Sequence, residues 1–256
     1  MRASVAAAVG LVVLTAGGAY AATGHDRATM SGGGTVTTSA STAGRPAATV
    51  PEPGRFVHPR QNRYFPLKPG TVYRYRGTDE GERLHERVVV THRTKVIQGV
   101  RTTVVRDVLR RADGTLAEKT HDWYAPDDDG NVWYFGERTA TYDEHGRLVS
   151  REGSWKAGVD GAVAGTIMPA RPRPTDAYRQ EYDRGQAEDQ AWIVQRHFSR
   201  TVPYGTVHDV VRSFEWSRLE PKVMSVKLYG PGLGIIRERD LAGGNESFAL
   251  VSVSHR

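Results

Sequence analysis

His121–Glu137 reads HDWYAPDDDGNVWYFGE, two aromatic arms around three consecutive aspartates and an Asp-Gly-Asn turn. The arms His121–Tyr124 and Val132–Phe135 carry the aromatic and β-branched residues of strands. Asp129-Gly130-Asn131 supplies the residues that accept positive φ in a tight turn, so the stretch predicts a β-hairpin. A second reading of the turn stays open beside the first. Asp127, Asp129 and Asn131 alternate as the oxygen ligands of calcium loops do, although Glu137 and Gly130 do not fall at EF-hand spacing.

Working outward, the same hairpin grammar repeats. Thr71–Arg76, Arg87–Thr94, Thr102–Leu109 and Leu116–Tyr124 are strand-like runs separated by Asp79–Glu82, Gln98-Gly99 and Asp113-Gly114. Beyond the centre, Glu144-His145-Gly146 makes another turn. Tyr178–Tyr182, Gln190–Thr201, Val207–Trp216, Val223–Tyr229, Ile235–Arg239 and Ser247–Val253 then return to strands. Successive strands at short spacing with no sustained helical period indicate an all-β domain of antiparallel hairpins. Trp155–Ala170 is interrupted by Gly158, Gly161 and Gly165 and predicts a loop crossing the sheet. One internal echo stands out: Lys68-Pro69-Gly70-Thr71-Val72-Tyr73-Arg74 and Arg173-Pro174-Thr175-Asp176-Ala177-Tyr178-Arg179 share cation-Pro-x-x-x-Tyr-Arg. Two related half-sheets or one shared turn chemistry would each produce it.

The N-terminal part is different in kind. Met1-Arg2, an apolar run from Val5 to about Ala16 and Ala19-Tyr20-Ala21 predict a secretory signal peptide over residues 1–21. A retained anchor is the alternative, since the apolar run approaches the length needed to span a bilayer. Residues 22–61 are rich in Gly, Ser, Thr, Ala and Pro and predict a disordered linker, which leaves 62–256 as a single β-domain. The chain has no cysteine, which excludes disulfides, thiol chemistry and a lipid-anchoring cysteine.

The formal net charge is +6 and the sequence pI about 9.6. The arginines from Arg74 to Arg106 are interleaved with Glu and Asp, and no nucleic-acid motif accompanies them. The charge predicts a solvated surface with weak attraction to anionic lipid or wall polymer, and no nucleic-acid partner. Oligomeric state is not legible.

Tyr64-Phe65-Pro66-Leu67 with Gly70 and Tyr73, Val202-Pro203-Tyr204-Gly205-Thr206, and Tyr229-Gly230-Pro231-Gly232-Leu233-Gly234 resemble landmarks of a set of exported bacterial β-proteins. The central DWYA…DGNVWYFGE stretch is similar to a subset of them. The resemblance implies one strongly curved antiparallel sheet, an open half-barrel related to lipoprotein-carrier folds that hold acyl chains on a concave face. It implies no particular activity, and its anchoring cysteine is absent here.

Candidate chemistry follows. Trp123, Trp133, Phe135, Tyr178 and Tyr182 either line a ligand cleft or form the core, since aromatics bury large areas. Asp127, Asp129 and Asn131 are the candidate cation ligands, with calcium the only cofactor indicated. The carboxylates around Glu181–Asp189 would serve a carbohydrate-active or other hydrolase if they opposed each other across a cleft. On a strand, however, Glu188 and Asp189 face opposite ways. No HExxH, no G-x-S-x-G and no phosphate-cradling loop occurs. The sequence therefore favours a non-enzymatic binding module for a small or lipid-like ligand, with a hydrolase and a pocketless envelope-interaction protein as alternatives.

Overall fold

The structure, a computed structural model, describes residues 51–256. The proposed signal peptide and most of the linker lie outside the described residues. The folded part is all-β, with one short 3-10 turn at Pro53–Phe56. Five strands form the first half: β1 Thr71–Asp79, β2 Glu82–Ile97, β3 Val100–Arg111, β4 Leu116–Pro126 and β5 Val132–Arg138. Small strands follow: β6 Thr141–Tyr142, β7 Leu148–Ser150, β8 Trp155–Lys156, β9 Val163–Met168, β10 Ala177–Arg179 and β11 Glu181–Tyr182. The second half is β12 Asp189–Val202, β13 Gly205–Ser217, β14 Met224–Gly230, β15 Gly234–Ala242 and β16 Ser247–His255.

All pairings are antiparallel, in the order β10-β12-β13-β14-β15-β16-β1-β2-β3-β4-β5-β9-β11. This is the single, strongly curved sheet expected from the sequence, and its curl goes further than a half-barrel. β10 and β11 are one run of chain interrupted at Gln180. Tyr178 and Arg179 pair with Ala191 and Gln190 on β12, while Glu181 and Tyr182 pair with Ala164 and Val163 on β9. The six residues 177–182 thus join the two ends of the sheet, leaving no long unpaired edge there.

Closure depends on a glycine. Gly165 lies within β9, and a Cβ at that position would sit 2.4 Å from the backbone of Gln180. The glycine-rich stretch expected to be a loop is therefore in part a strand, β9, paired with β5 and β11. A missing side chain here marks close backbone approach rather than a chain break.

The internal echo is a shared turn. Gly70 and Thr175 both have positive φ directly after a proline, and Thr71 and Asp176 donate back to the carbonyls of Lys68 and Arg173. That order is the type II pattern. Each turn then hooks onto a neighbouring strand, Gly70 N–H to Val90 and Thr175 N–H to Ile193.

Residues 51–61, expected in the linker, pack on the β4–β5 turn. Phe56 stands edge-on to Trp133 and Phe135, with centroids 6.4 and 5.7 Å away. The N–H groups of His58 and Arg60 bond the Asp128 side chain and the Asp127 carbonyl. Asn62, buried, then donates to the carbonyls of Gly130 and Pro169 and accepts from the N–H groups of Tyr64 and Phe65. That latch directs Phe65 and Leu67 against Tyr73, Tyr75, Val88 and Ile235, where a cavity of only about 20 Å³ remains.

Candidate functional site

Strand parity sorts the charge. A strand sends alternate residues to opposite faces. On β1 to β4 the outward positions between Arg74 and His121 include Arg74, Arg76, Arg83, His85, Arg87, Arg106, Arg110 and Lys119, and no acid. The inward positions carry Asp79, Glu86, Asp107, Glu118 and Asp122. The alternation that reads as self-neutralising along the chain is separated by the thickness of the sheet.

Inside the barrel the carboxyls continue round the wall. Asp122 pairs across strands with Glu137, Glu181 sits on the closing segment, Asp189 opens β12, and Glu215 and Glu238 lie on β13 and β15. All of these are buried. Among the described residues Lys227 of β14 is the cation that answers them: its Nζ lies 3.2 Å from Glu215 and 3.3 Å from Glu238. Burial works to lower the Lys227 pKa, but these two carboxylates outweigh it and hold it above its ordinary value. Glu215 also accepts from Ser213, Tyr229 and Gln180 and is fully satisfied.

Several of the others are not. Glu86 and Asp107 face each other, and Glu181 has the Trp155 indole beside it, but no hydrogen bond of ordinary geometry reaches their oxygens. Charge is costly to hold in a low-dielectric interior without partners, so burial pushes such groups toward their protonated forms. Burial lifts Asp107 to about 6 and Glu118, Asp189 and Glu238 to about 7. Burial also lifts Glu86, Asp122, Glu137 and Glu181, and neighbouring carboxyls add to the rise. Formal charge counts all of them as anions, so +6 understates the positive charge carried at neutral pH.

The outer face of β1–β3 forms a groove of about 440 Å³ lined by Arg74, Arg76, His85, Arg87, Arg106 and Arg110. Register places Arg74 opposite Arg87, like charge against like charge, and sets His85 between Arg76 and Arg110. Among the described residues none of these five arginines forms an ion pair with a carboxylate. Arg106 Nε is buried without a hydrogen-bond partner. Burial, then the nearby Arg106, Arg256 and Arg74, lower the Arg87 pKa. Opposed like charges destabilise a sheet, and an anion bound between them would relieve that repulsion.

The residues singled out from the sequence take other positions. Asp127 is fully buried at the turn, and its two oxygens meet five donors: the N–H groups of Asp129 and Asn131, the Asn131 amide, the Trp133 indole and the Arg55 guanidinium. Asp129 is exposed and touches only the same Arg55 at 3.4 Å. Donors converging on the carboxylate make a hydrogen-bonded turn anchor, the reverse of an oxygen cage for calcium. Among the described residues no group of three or more His, Asp or Glu side chains is placed to hold a metal ion.

Trp123 is buried with Lys95 Nζ 3.3 Å above its ring. Trp133 and Phe135 are gathered by Phe56. Tyr182 lies under the Arg179 guanidinium at 4.3 Å, and the Tyr178 hydroxyl is buried without a hydrogen-bond partner. Their contacts are with the chain's own side chains. Glu181 and Asp189 do face the same interior, but both are buried, whereas Glu188 turns outward to Arg218.

No family model matches the chain, and no curated protein matches it. Among solved structures it is similar to a protein of YmcC-like fold from Bacteroides fragilis NCTC 9343, provisionally described as exported. That match has a TM-score of 0.45 and 14% identity over 75% of this chain and 99% of that one. A provisionally described lipoprotein from Parabacteroides distasonis ATCC 8503 is similar with a TM-score of 0.41 and 14% identity, over 76% of this chain and all of that one.

Proposed function

We propose that this protein is a non-enzymatic, extracytoplasmic binding module that takes an anionic ligand in the arginine groove of β1–β3. One observation carries the reading: five guanidinium groups share a groove of about 440 Å³ and none is neutralised by a carboxylate of the described chain. Arginine is the residue suited to this task, because its planar fork matches phosphate and carboxylate bidentately. The extracytoplasmic placement rests on the signal-like residues 1–21.

A lipid-like occupant of the concave face finds little support. The apolar end of the barrel is filled by Phe65 and Leu67, and the rest of the inner wall sets buried carboxyls among packed side chains such as Tyr124, Tyr134 and Tyr229. A glycosidase built on Glu181 and Asp189 would need both groups exposed to a sugar, and both are buried.

The test is a titration of residues 51–256 with tripolyphosphate, followed by ¹⁵N and arginine side-chain NMR. Shifts confined to the outer face of β1–β3 are expected, and Arg87→Gln/Arg106→Gln should abolish them. Absence of shifts, or shifts centred elsewhere, would refute the proposal.

A further inference from the structure

The groove is part of a longer basic surface. Three cross-strand rows can be read from the register. Arg237 on β15, Arg76, His85 and Arg110 form one, linked through Ala249. Arg74, Arg87, Val108 and Lys119 form the second. Val89, Arg106, His121 and Arg138 form the third. From β15 to β5 the rows cover six inter-strand spacings of about 4.8 Å, or about 29 Å of sheet. That is too wide for one small anion.

The rows also alternate in a useful way. Arg87 lies beside Val108 and Arg106 beside Val89, so cationic forks are separated by short apolar patches. His121 does not add a fixed charge: burial first, then Arg138, Lys119, Arg93 and Arg106, push its pKa down to about 4. It stands as a neutral hydrogen-bonding group between two cations. A partner matching this surface carries full negative charges separated by short carbon linkers.

Resting on the binding reading above, we infer that the ligand is a linear phosphodiester polymer with short, non-aromatic carbon linkers, lying across strands β15 to β5. Its phosphates meet the arginines and its linkers cover Val89 and Val108. Nucleobases have no role in this arrangement, because the rings of Trp123 and Trp133 are engaged by Lys95 and by Phe56 and Arg55.

The experiment measures binding of glycerol-phosphate oligomers of two, four, six and ten units to residues 51–256 by calorimetry at several salt concentrations. Affinity should rise at least tenfold from dimer to hexamer and then level off. If four or five phosphates are engaged at about 0.7 counterions each, affinity should fall roughly 50- to 130-fold between 50 and 200 mM salt. Arg87→Gln/Arg106→Gln, checked for unchanged melting, should lose at least tenfold, and Arg147→Gln on a distant turn should not. Affinity independent of length would overturn the polymer while leaving the anion groove intact. Equal or tighter binding of an oligodeoxythymidylate of matched charge would replace it with a nucleic-acid ligand. Failure of tripolyphosphate and every oligomer to bind would remove both readings.

Discussion

At the residue scale, two positions define how the barrel is held. Asp127 gathers five donors at the β4–β5 turn, so Asp127→Ala leaves buried N–H groups and the Arg55 guanidinium without their acceptor. A loss of about 3 kcal/mol is expected, measurable by urea denaturation. Asp129→Ala, which removes only an exposed contact, should change stability by less than about 0.5 kcal/mol. Equal effects of the two would contradict the anchor. Gly165 is the second position: Gly165→Val would force a side chain into the Gln180 backbone and cost roughly 3 kcal/mol or prevent closure. Loss of hydrogen-exchange protection at residues 177–182 would report it. The role of Asp127 was half legible, since its turn could be read from Asp-Gly-Asn but the number of donors could not. Gly165 was misread because a glycine that permits close approach looks in sequence like one that breaks a strand.

At the element scale, the hairpins of β1 to β5 and of β12 to β16 were legible because their apolar periodicity and turn residues agree. The short strands β8 and β9 were less so, since two to six residues carry little pattern, whereas β10 and β11 fall within the strand-like run Tyr178–Tyr182. The closing segment 177–182 pairs with two strands distant from each other in sequence, and no local signal announces that. Lys227 also belongs to this scale, because it ties β13 to β15 through Glu215 and Glu238. Lys227→Met removes the interior's cation while leaving its carboxyls, so a loss of about 3–5 kcal/mol is expected in thermal or chemical melts at pH 7. The deficit should shrink at pH 5, where Glu238, with a pKa of about 7, is protonated.

At the scale of the whole molecule, the wall separates acid from base, with carboxyls inside and arginines outside. The separation was latent in the sequence: Glu86-Arg87 and Arg106-Asp107 are adjacent, and adjacent residues on a strand face apart. Along the chain these charges read as mixed, and only strand parity separates them. The sorting has a consequence for stability. Asp107, Glu118, Asp189 and Glu238 have folded pKa values of about 6 to 7, above the ordinary carboxyl range near 4. Between those limits the folded state binds more protons than the unfolded one, so stability falls as pH rises from about 4 to 7. His121, with its pKa pushed down, works in the opposite direction between about 6.5 and 4, but it is one half-buried group against several buried ones. The melting temperature should therefore be higher at pH 5 than at pH 8, by roughly 5 °C or more. A lower value at pH 5 would refute this balance.

The separation of charge across the wall is tested most directly by following every Asp and Glu side-chain carboxyl by ¹³C NMR from pH 3 to 9. A distinct set of resonances that includes Asp107, Glu118, Asp189 and Glu238 should titrate at or above about pH 6, while exposed Asp113 and Asp143, held below the ordinary range by backbone hydrogen bonds, titrate first. If all carboxyls titrate together below about pH 5, the interior is not protonated, and the account of an acidic core behind a cationic face is wrong.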